Sequence, residues 1–190
     1  MEVNIKKYIL SILILLIFSN CGMFNSSQKI LKTIEENAVT AIEFFPSYNY
    51  QPSPDQKPPR IHYNFKYGIE GGDLVILVDD WQFIEGRKNY LRVYHIPLSN
   101  IDPSAIEIDR ITQVGPISYK GENIEIEPCR VILQTEDNSI RLEIYDRGSG
   151  SSSNRWIIPS ENGETSFVKF VEIYAPNQQR AQNIADIFQE

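Results

Sequence analysis

The feature that most constrains the fold is an alternation of apolar and polar residues that begins at Ile61. In the segment 61–67, which reads IHYNFKY, the odd positions are apolar or aromatic and the even positions are polar. Side chains along a β-strand point alternately to opposite faces, so this pattern predicts an antiparallel strand with one buried face. Further strands are predicted, by alternation or short apolar runs, at 74–80, 90–96, 104–111, 124–127, 129–135, 140–145, 156–158 and 166–174.

The connections between these strands carry their own signals. Two glycines at 71 and 72 predict a tight turn between the first two strands. The polar stretch 136–139 separates two apolar runs, and we expect it to close a hairpin between 129–135 and 140–145. Most of the strands therefore connect as an antiparallel series.

Helical spacing flanks the strands on both sides. Ile30, Leu31, Ile34, Ala38 and Ile42 fall on one stripe and predict an amphipathic helix that ends before Pro46. Near the C-terminus, Asn177 is a candidate helix cap. The apolar stripe of this second helix consists of Ala181, Ile184, Ala185 and Phe188.

We therefore predict a mainly β protein, a β-rich α+β chain. It would be an antiparallel sandwich or barrel of about seven strands with an N-terminal helix and a C-terminal capping helix. Over residues 61–188 this order resembles, in architecture, the pleckstrin-homology-like barrel, in which a C-terminal helix plugs one open end. Members that bind phosphoinositides carry a basic cluster in the first hairpin. Here 66–73 reads KYGIEGGD, with one lysine against two acidic residues, so the resemblance does not imply that activity.

The N-terminus has the pattern of a secretory signal. Lys6 and Lys7 precede the apolar run 8–18, which Ser11 interrupts. A membrane-spanning helix needs about 20 apolar residues, whereas the apolar region of a signal peptide has about 7–15. The run therefore predicts a signal peptide, and Cys21 follows it almost directly.

The segment ending at Cys21 resembles the signal peptide of bacterial lipoproteins, whose lipobox cysteine is acylated and becomes the mature N-terminus. Phe18 and Asn20 stand where the commonest lipobox has leucine and a small residue, as in the relaxed lipoboxes of some bacterial lineages. The resemblance implies that acyl chains such as palmitate on Cys21 hold the protein at a membrane of the cell envelope. Gly22, rather than aspartate, after the cysteine is compatible with the outer membrane if the cell has one.

Two other interpretations of the N-terminal segment stay open: cleavage without lipidation, and an uncleaved anchor. The lipoprotein interpretation divides the chain into four parts. They are a signal peptide at 1–20, a tether and helix at 21–45, a proline-rich linker at 46–60, and a β-rich domain with the C-terminal helix at 61–190.

The residues offer little catalytic chemistry. A formal net charge of −7 argues against a nucleic-acid partner, because such binding depends on neutralising phosphates. His62, His95 and Cys129 lack zinc-ligand spacing, and Cys129 is expected to be a buried apolar residue. Asp79 and Asp80 are neighbours on a strand, so their carboxyls should face opposite sides. With no nucleotide-binding or nucleophile-elbow motif either, we expect no catalytic residue, no metal and no cofactor.

These observations favour a non-catalytic binding domain that recognises a protein partner or another envelope component. Tyr48, Tyr50 and Trp81 are the candidate interface residues, because aromatic side chains give large contact area at low entropic cost. Two other functions stay open: a small envelope hydrolase that uses carboxylates, and a barrel that binds an apolar ligand.

Overall fold

The computed structural model describes residues 26–44, 61–82, 89–112, 114–119, 122–124, 127–147 and 163–189, together with Trp156 and Ile158. Helix α1 comprises residues 26–37, and helix α2 comprises Gln178–Asp186. The strands are β1 Ala41–Phe44, β2 Ile61–Glu70, β3 Asp73–Gln82, β4 Tyr90–Pro97, β5 Glu107–Arg110, β6 Val114–Tyr119, β7 Glu122–Ile124, β8 Cys129–Gln134, β9 Ile140–Asp146, β10 Glu164–Val168 and β11 Phe170–Ala175. The expected signal peptide, Cys21 and the linker with Tyr48 and Tyr50 lie outside these residues.

The strands form two antiparallel sheets. The large sheet has the order β10-β9-β4-β3-β2-β1-β6-β7, and the small sheet has the order β11-β8-β5. The predicted class, a mainly β fold with an N-terminal and a C-terminal helix, is confirmed. Of the two architectures expected, the described strands form the sandwich and not a closed barrel. They number eleven rather than about seven, partly because one predicted strand is divided between the sheets.

The alternation that begins at Ile61 is confirmed in β2, β3 and β4. The register places Phe65 opposite Val78 and Val78 opposite Arg92, so these three residues share the inner face of the large sheet. The turn between β2 and β3 uses Gly71 at φ 60° and Gly72 at φ 96°, a conformation that suits glycine because it lacks Cβ. The inner face joins a core built from both sheets and both helices, in which the fully buried large side chains include Ile34, Ile42, Leu74, Ile76, Ile96, Leu133, Ile140, Ile173 and Ile184.

The N-terminal helix is shorter than predicted. It ends at residue 37, and Ile42 lies in strand β1 instead of on the helical stripe. Hydrogen bonds from distant residues replace the helical ones: the Val39 amide donates to the Tyr174 carbonyl at 2.8 Å, and the Tyr67 hydroxyl donates to the Val39 carbonyl at 3.3 Å. Ile42 is fully buried in β1, and an apolar residue at this position also fits the spacing of a longer helix. Strand β1 then pairs with β2 and β6, inside the large sheet.

The predicted hairpin between 129–135 and 140–145 is wrong. Strand β8 belongs to the small sheet and β9 to the large one. The strand predicted at 166–174 is likewise divided at Lys169 into β10 and β11. Both changes of sheet occur at one corner, where the Thr135 amide donates to the Lys169 carbonyl at 3.0 Å and the Thr135 hydroxyl donates to the carbonyls of Asp137 and Lys169. These hydrogen bonds give partners to backbone groups that leave the strand ladder where the chain changes sheets.

Helix α2 packs against β5, β8 and β11 and so covers the small sheet. Its predicted cap is confirmed, since the Asn177 side chain accepts from the Arg180 amide at 3.0 Å. The Arg180 side chain then donates to the Glu36 carbonyl at 3.2 Å and to the Asn37 side chain at 3.1 Å. These bonds join the end of α1 to the start of α2.

Replacing Ile184 with alanine should lower the free energy of unfolding by about 2–5 kcal/mol, because it leaves a cavity in a fully buried site. Urea unfolding measures the loss. Gln182→Ala on the same helix is the matched control, since Gln182 is exposed and its loss should stay within about 0.5 kcal/mol. Equal losses in the two variants would show that α2 does not pack on the core.

Candidate functional site

A cleft of about 260 Å³ lies between the inner face of the large sheet and strand β11. In β11, Phe170, Glu172 and Tyr174 alternate with the buried residues Val171, Ile173 and Ala175. The first three line the cleft, and Val171 also borders it. In β4, Arg92 and Tyr94 occupy the inward positions that precede Ile96. The side chains that carry the chemistry of the cleft are Tyr63, Arg92, Tyr94, Phe170, Glu172 and Tyr174.

One residue of the cleft wall, Arg92, forms an ion pair with Asp80, which is buried behind it. The two residues are diagonal neighbours on one face, since Asp80 lies opposite Tyr90 and Arg92 lies opposite Val78. The Arg92 Nη2 lies 2.7 Å from the Asp80 Oδ2; the aspartate side chain is fully buried and that of the arginine is 30% exposed. A carboxylate so far from water requires a close cation, and Arg92 supplies it. Arg92 is also hydrogen-bonded to the Tyr63 hydroxyl.

A second set of ion pairs lies on the small sheet and includes the cleft residue Glu172. Arg130 lies 2.7 Å from Glu172 and 2.9 Å from Asp109, so it joins β11 and β5 across β8. The Tyr174 hydroxyl also donates to Glu172. Because these groups are partly exposed, the ion pairs add little stability, but they fix the orientation of the Glu172 carboxylate at the cleft.

Aromatic rings form much of the remaining wall. Phe65 lies at their centre, with its ring centroid 6.4 Å from that of Tyr63 and 5.4 Å from that of Tyr174. Phe65 is buried, whereas Phe170 at the edge of the cleft is 54% exposed. The cleft therefore has a packed aromatic interior, and Phe170 is its most exposed ring.

The tyrosine hydroxyls in the cleft keep their protons at neutral pH. Burial raises the pKa of Tyr63, Tyr94 and Tyr174 above the usual value. The carboxylates of Asp80 and Glu172 raise the pKa of Tyr63 and Tyr174 further, because a second negative charge nearby is unfavourable. The three hydroxyls are therefore hydrogen-bond donors as well as acceptors.

The predicted interface residues are only partly described by the structure. Cys21, Tyr48 and Tyr50 lie outside the described residues. Trp81 lies in β3 opposite His62, and its side chain is outside the described part. Whether the three aromatic residues form an interface stays a prediction.

The two adjacent aspartates point to opposite faces, as their sequence positions predicted. Asp80 pairs with Arg92 in the cleft, whereas Asp79 on the outer face is 3.3 Å from Arg147 and accepts from Asn64 at 3.4 Å. They are buried rather than solvated, because each has an arginine partner. Cys129 is buried as expected, with 1% of its surface exposed.

Sequence reasoning missed the four residues that distinguish the cleft: Asp80, Arg92, Glu172 and Phe170. A signal for the first two was present, because both are charged residues at inward positions of alternating strands. Such positions favour apolar residues, so a charge there indicates a buried pair or a site. Phe170 and Glu172 gave no comparable signal. Whether their side of β11 faces solvent or the large sheet depends on the position of the small sheet, which the sequence does not reveal.

In the part of the chain that the structure describes, no group of three or more His, Cys, Asp or Glu side chains could hold a metal ion. Within that part, too, no helix combines the length and apolar character needed to cross a membrane. The sequence matches no model of a known protein family, and comparisons with curated proteins and with solved structures found no match.

Proposed function

We propose that this chain is a lipid-anchored binding protein of the bacterial cell envelope, and that it holds a small ligand in the cleft between its sheets. The observation that supports binding is the combination of solvent access, at Phe170 and Arg92, with fixed polar groups in the interior. Ligand sites are typically concave, largely preformed and lined by aromatic side chains with a few placed polar groups. The cleft has each of these properties.

The state of the charged groups favours recognition over catalysis. Asp80 and Glu172 are each held by an arginine, and the tyrosine hydroxyls stay protonated. Such groups can orient a ligand without changing their own protonation state. The function is therefore non-catalytic in this proposal, in keeping with the composition of the chain.

The proposed anchor would keep the domain close to the bilayer. Five peptide steps separate Cys21 from the first described residue of α1 at position 26. An extended chain covers at most about 3.6 Å per residue, so α1 would begin within about 18 Å of the acylated residue. The net charge of −7 would oppose direct contact with anionic lipid, so in this proposal the acyl chains make the membrane contact.

Replacing Cys21 with alanine should release the protein from the membrane fraction, because acylation requires the thiol. Fractionation of a lipoprotein-processing host, followed by detection of the full-length chain, measures this. Cys129→Ala is the matched control, since the other cysteine is buried in β8 and should leave membrane retention unchanged. Retention of the Cys21 variant at the wild-type level would contradict lipid anchoring.

Binding in the cleft can be tested with four defined probes: a neutral disaccharide, a dicarboxylate, a quaternary ammonium compound and a short aliphatic alcohol. The measurement is the methyl NMR spectrum of the full-length protein in nanodiscs. Val78 and Val171 line the cleft, and Val93 is buried on the other face of the large sheet, so Val93 is an internal control. We expect at least one probe to shift Val78 and Val171 but not Val93. No shift with any probe would contradict the proposed binding function.

A further inference from the structure

The charges of the cleft disfavour a charged ligand. Arg92 is paired with Asp80 at 2.7 Å, and Glu172 is paired with Arg130 at 2.7 Å. An anion attracted to Arg92 would be repelled by both carboxylates, and a cation attracted to Glu172 would meet two arginines. The lining therefore favours an uncharged ligand.

The polar groups of the cleft also disfavour a purely apolar ligand. Three tyrosine hydroxyls, one guanidinium and one carboxylate line a space of about 260 Å³. An apolar ligand would remove water from these groups and offer no hydrogen bond in exchange, which is unfavourable. The ligand must therefore carry its own donors and acceptors, and hydroxyl groups provide both.

The aromatic side chains add a requirement for apolar faces. Phe170 exposes 54% of its surface at the edge, and Phe65 and Tyr174 pack 5.4 Å apart in the wall. Flat rings bury ligand carbon at low entropic cost while polar tips remain available for hydrogen bonds. A pyranose ring presents C–H faces to such rings and hydroxyls around its edge.

Resting on the proposed function, we infer that the ligand is an uncharged sugar: a pyranose ring, free or at the end of a glycan, packed on Phe170 with its hydroxyls bonded to Arg92, Glu172 and the cleft tyrosines. The size agrees with a single ring, because about 260 Å³ lies just below the range of about 300–1,000 Å³ that is typical of pockets for larger ligands. Arg92 has a planar set of five N–H donors suited to adjacent hydroxyls, of which the ion pair with Asp80 and the hydrogen bond with Tyr63 use only part.

The test compares two exposed phenylalanines that differ in position. Phe170 lines the cleft, whereas Phe167 in β10 is 60% exposed and does not line it. Both are replaced with threonine, which keeps β propensity. Calorimetric titration of the full-length protein uses β-linked disaccharides of glucose and of N-acetylglucosamine. We expect at least one to bind, Phe170→Thr to weaken it about tenfold, and Phe167→Thr to leave it unchanged.

A second variant tests the polar contacts. Arg92→Lys keeps the positive charge beside Asp80 but loses the planar donor fork, so it should also weaken sugar binding while the protein stays folded. Equal affinities in all variants would overturn the assignment of the sugar to this cleft. Cleft shifts with the dicarboxylate, the ammonium compound or the alcohol, but not with a sugar, would overturn the sugar inference and leave the binding function standing. No cleft shift with any probe would overturn both.

Discussion

Replacing Arg92 with methionine is expected to lower the free energy of unfolding by about 3–5 kcal/mol, the usual cost of leaving a buried charge without its partner. Asp80 is fully buried, and Arg92 is the cation at 2.7 Å from its carboxylate. Methionine fills similar space, so the loss reports the charge rather than a cavity. Chemical denaturation at neutral pH is the measurement.

Two controls separate this effect from simple disruption. In an Asp80→Asn background the same substitution should cost less than half as much, because a neutral amide needs no counter-charge. Arg141→Met should cost less than about 1 kcal/mol, since Arg141 is 45% exposed in its ion pair with Glu143. Additive losses at Asp80 and Arg92 would show that the two residues do not depend on each other.

A second large decrease in the free energy of unfolding is expected at alkaline pH. Burial raises the pKa of Tyr63, Tyr67, Tyr94 and Tyr174 in the folded protein. Above pH ~10, tyrosines of the unfolded chain lose protons while these four keep theirs. The unfolded state then binds fewer protons than the folded state, so the free energy of unfolding falls as pH rises. The stabilisation is fully present below pH ~10 and is lost above it.

The size of this loss of stability depends on the number of buried tyrosines. Each tyrosine contributes a slope of at most about 1.4 kcal/mol per pH unit while its folded-state pKa lies above the pH, so the four together contribute at most about 5.5 kcal/mol per pH unit. A protein with ordinary stability of about 5–15 kcal/mol should therefore unfold cooperatively within a few pH units, and the tyrosinate absorbance of the four buried residues should appear in the same transition. Tyr67→Phe should reduce the slope by about a quarter. Constant stability through this range, or ionisation of all the tyrosines of the chain before unfolding, would contradict the burial of these four side chains.

The sequence was informative wherever local pattern decides structure. The alternation from Ile61 predicted β2 and its buried face, two glycines predicted the following turn, and Asn177 predicted the start of α2. These features depend on side-chain periodicity and on backbone preferences of single residues. Neighbouring strands and helix ends can be predicted from such signals.

Pairings between distant segments could not be predicted in this way. A turn-rich stretch between two apolar runs favours a hairpin, yet β8 and β9 separate because β11 and β10 respectively offer each a partner. Ile42 fits a helical stripe, yet hydrogen bonds from Tyr67 and to Tyr174 end the helix earlier. In both cases tertiary contacts override local preference.

The candidate site was the least predictable part. The cleft requires β4 and β11 to face each other, although about 75 residues separate them in the chain and they belong to different sheets. Charged residues at inward positions, Asp80 and Arg92, were the one local sign of it. Glu172 and Phe170 become site residues only because the small sheet turns their side of β11 towards the large sheet.

The most direct test of a lipid-anchored binding protein is a native mass spectrum of the protein expressed from the full-length sequence, extracted from the membranes of a lipoprotein-processing host and mixed with the β-linked disaccharides. We predict a chain of residues 21–190 that carries acyl groups and binds one disaccharide. A chain without acyl mass would contradict the anchor at Cys21. An acylated chain that binds no disaccharide would contradict the assignment of a sugar to the cleft.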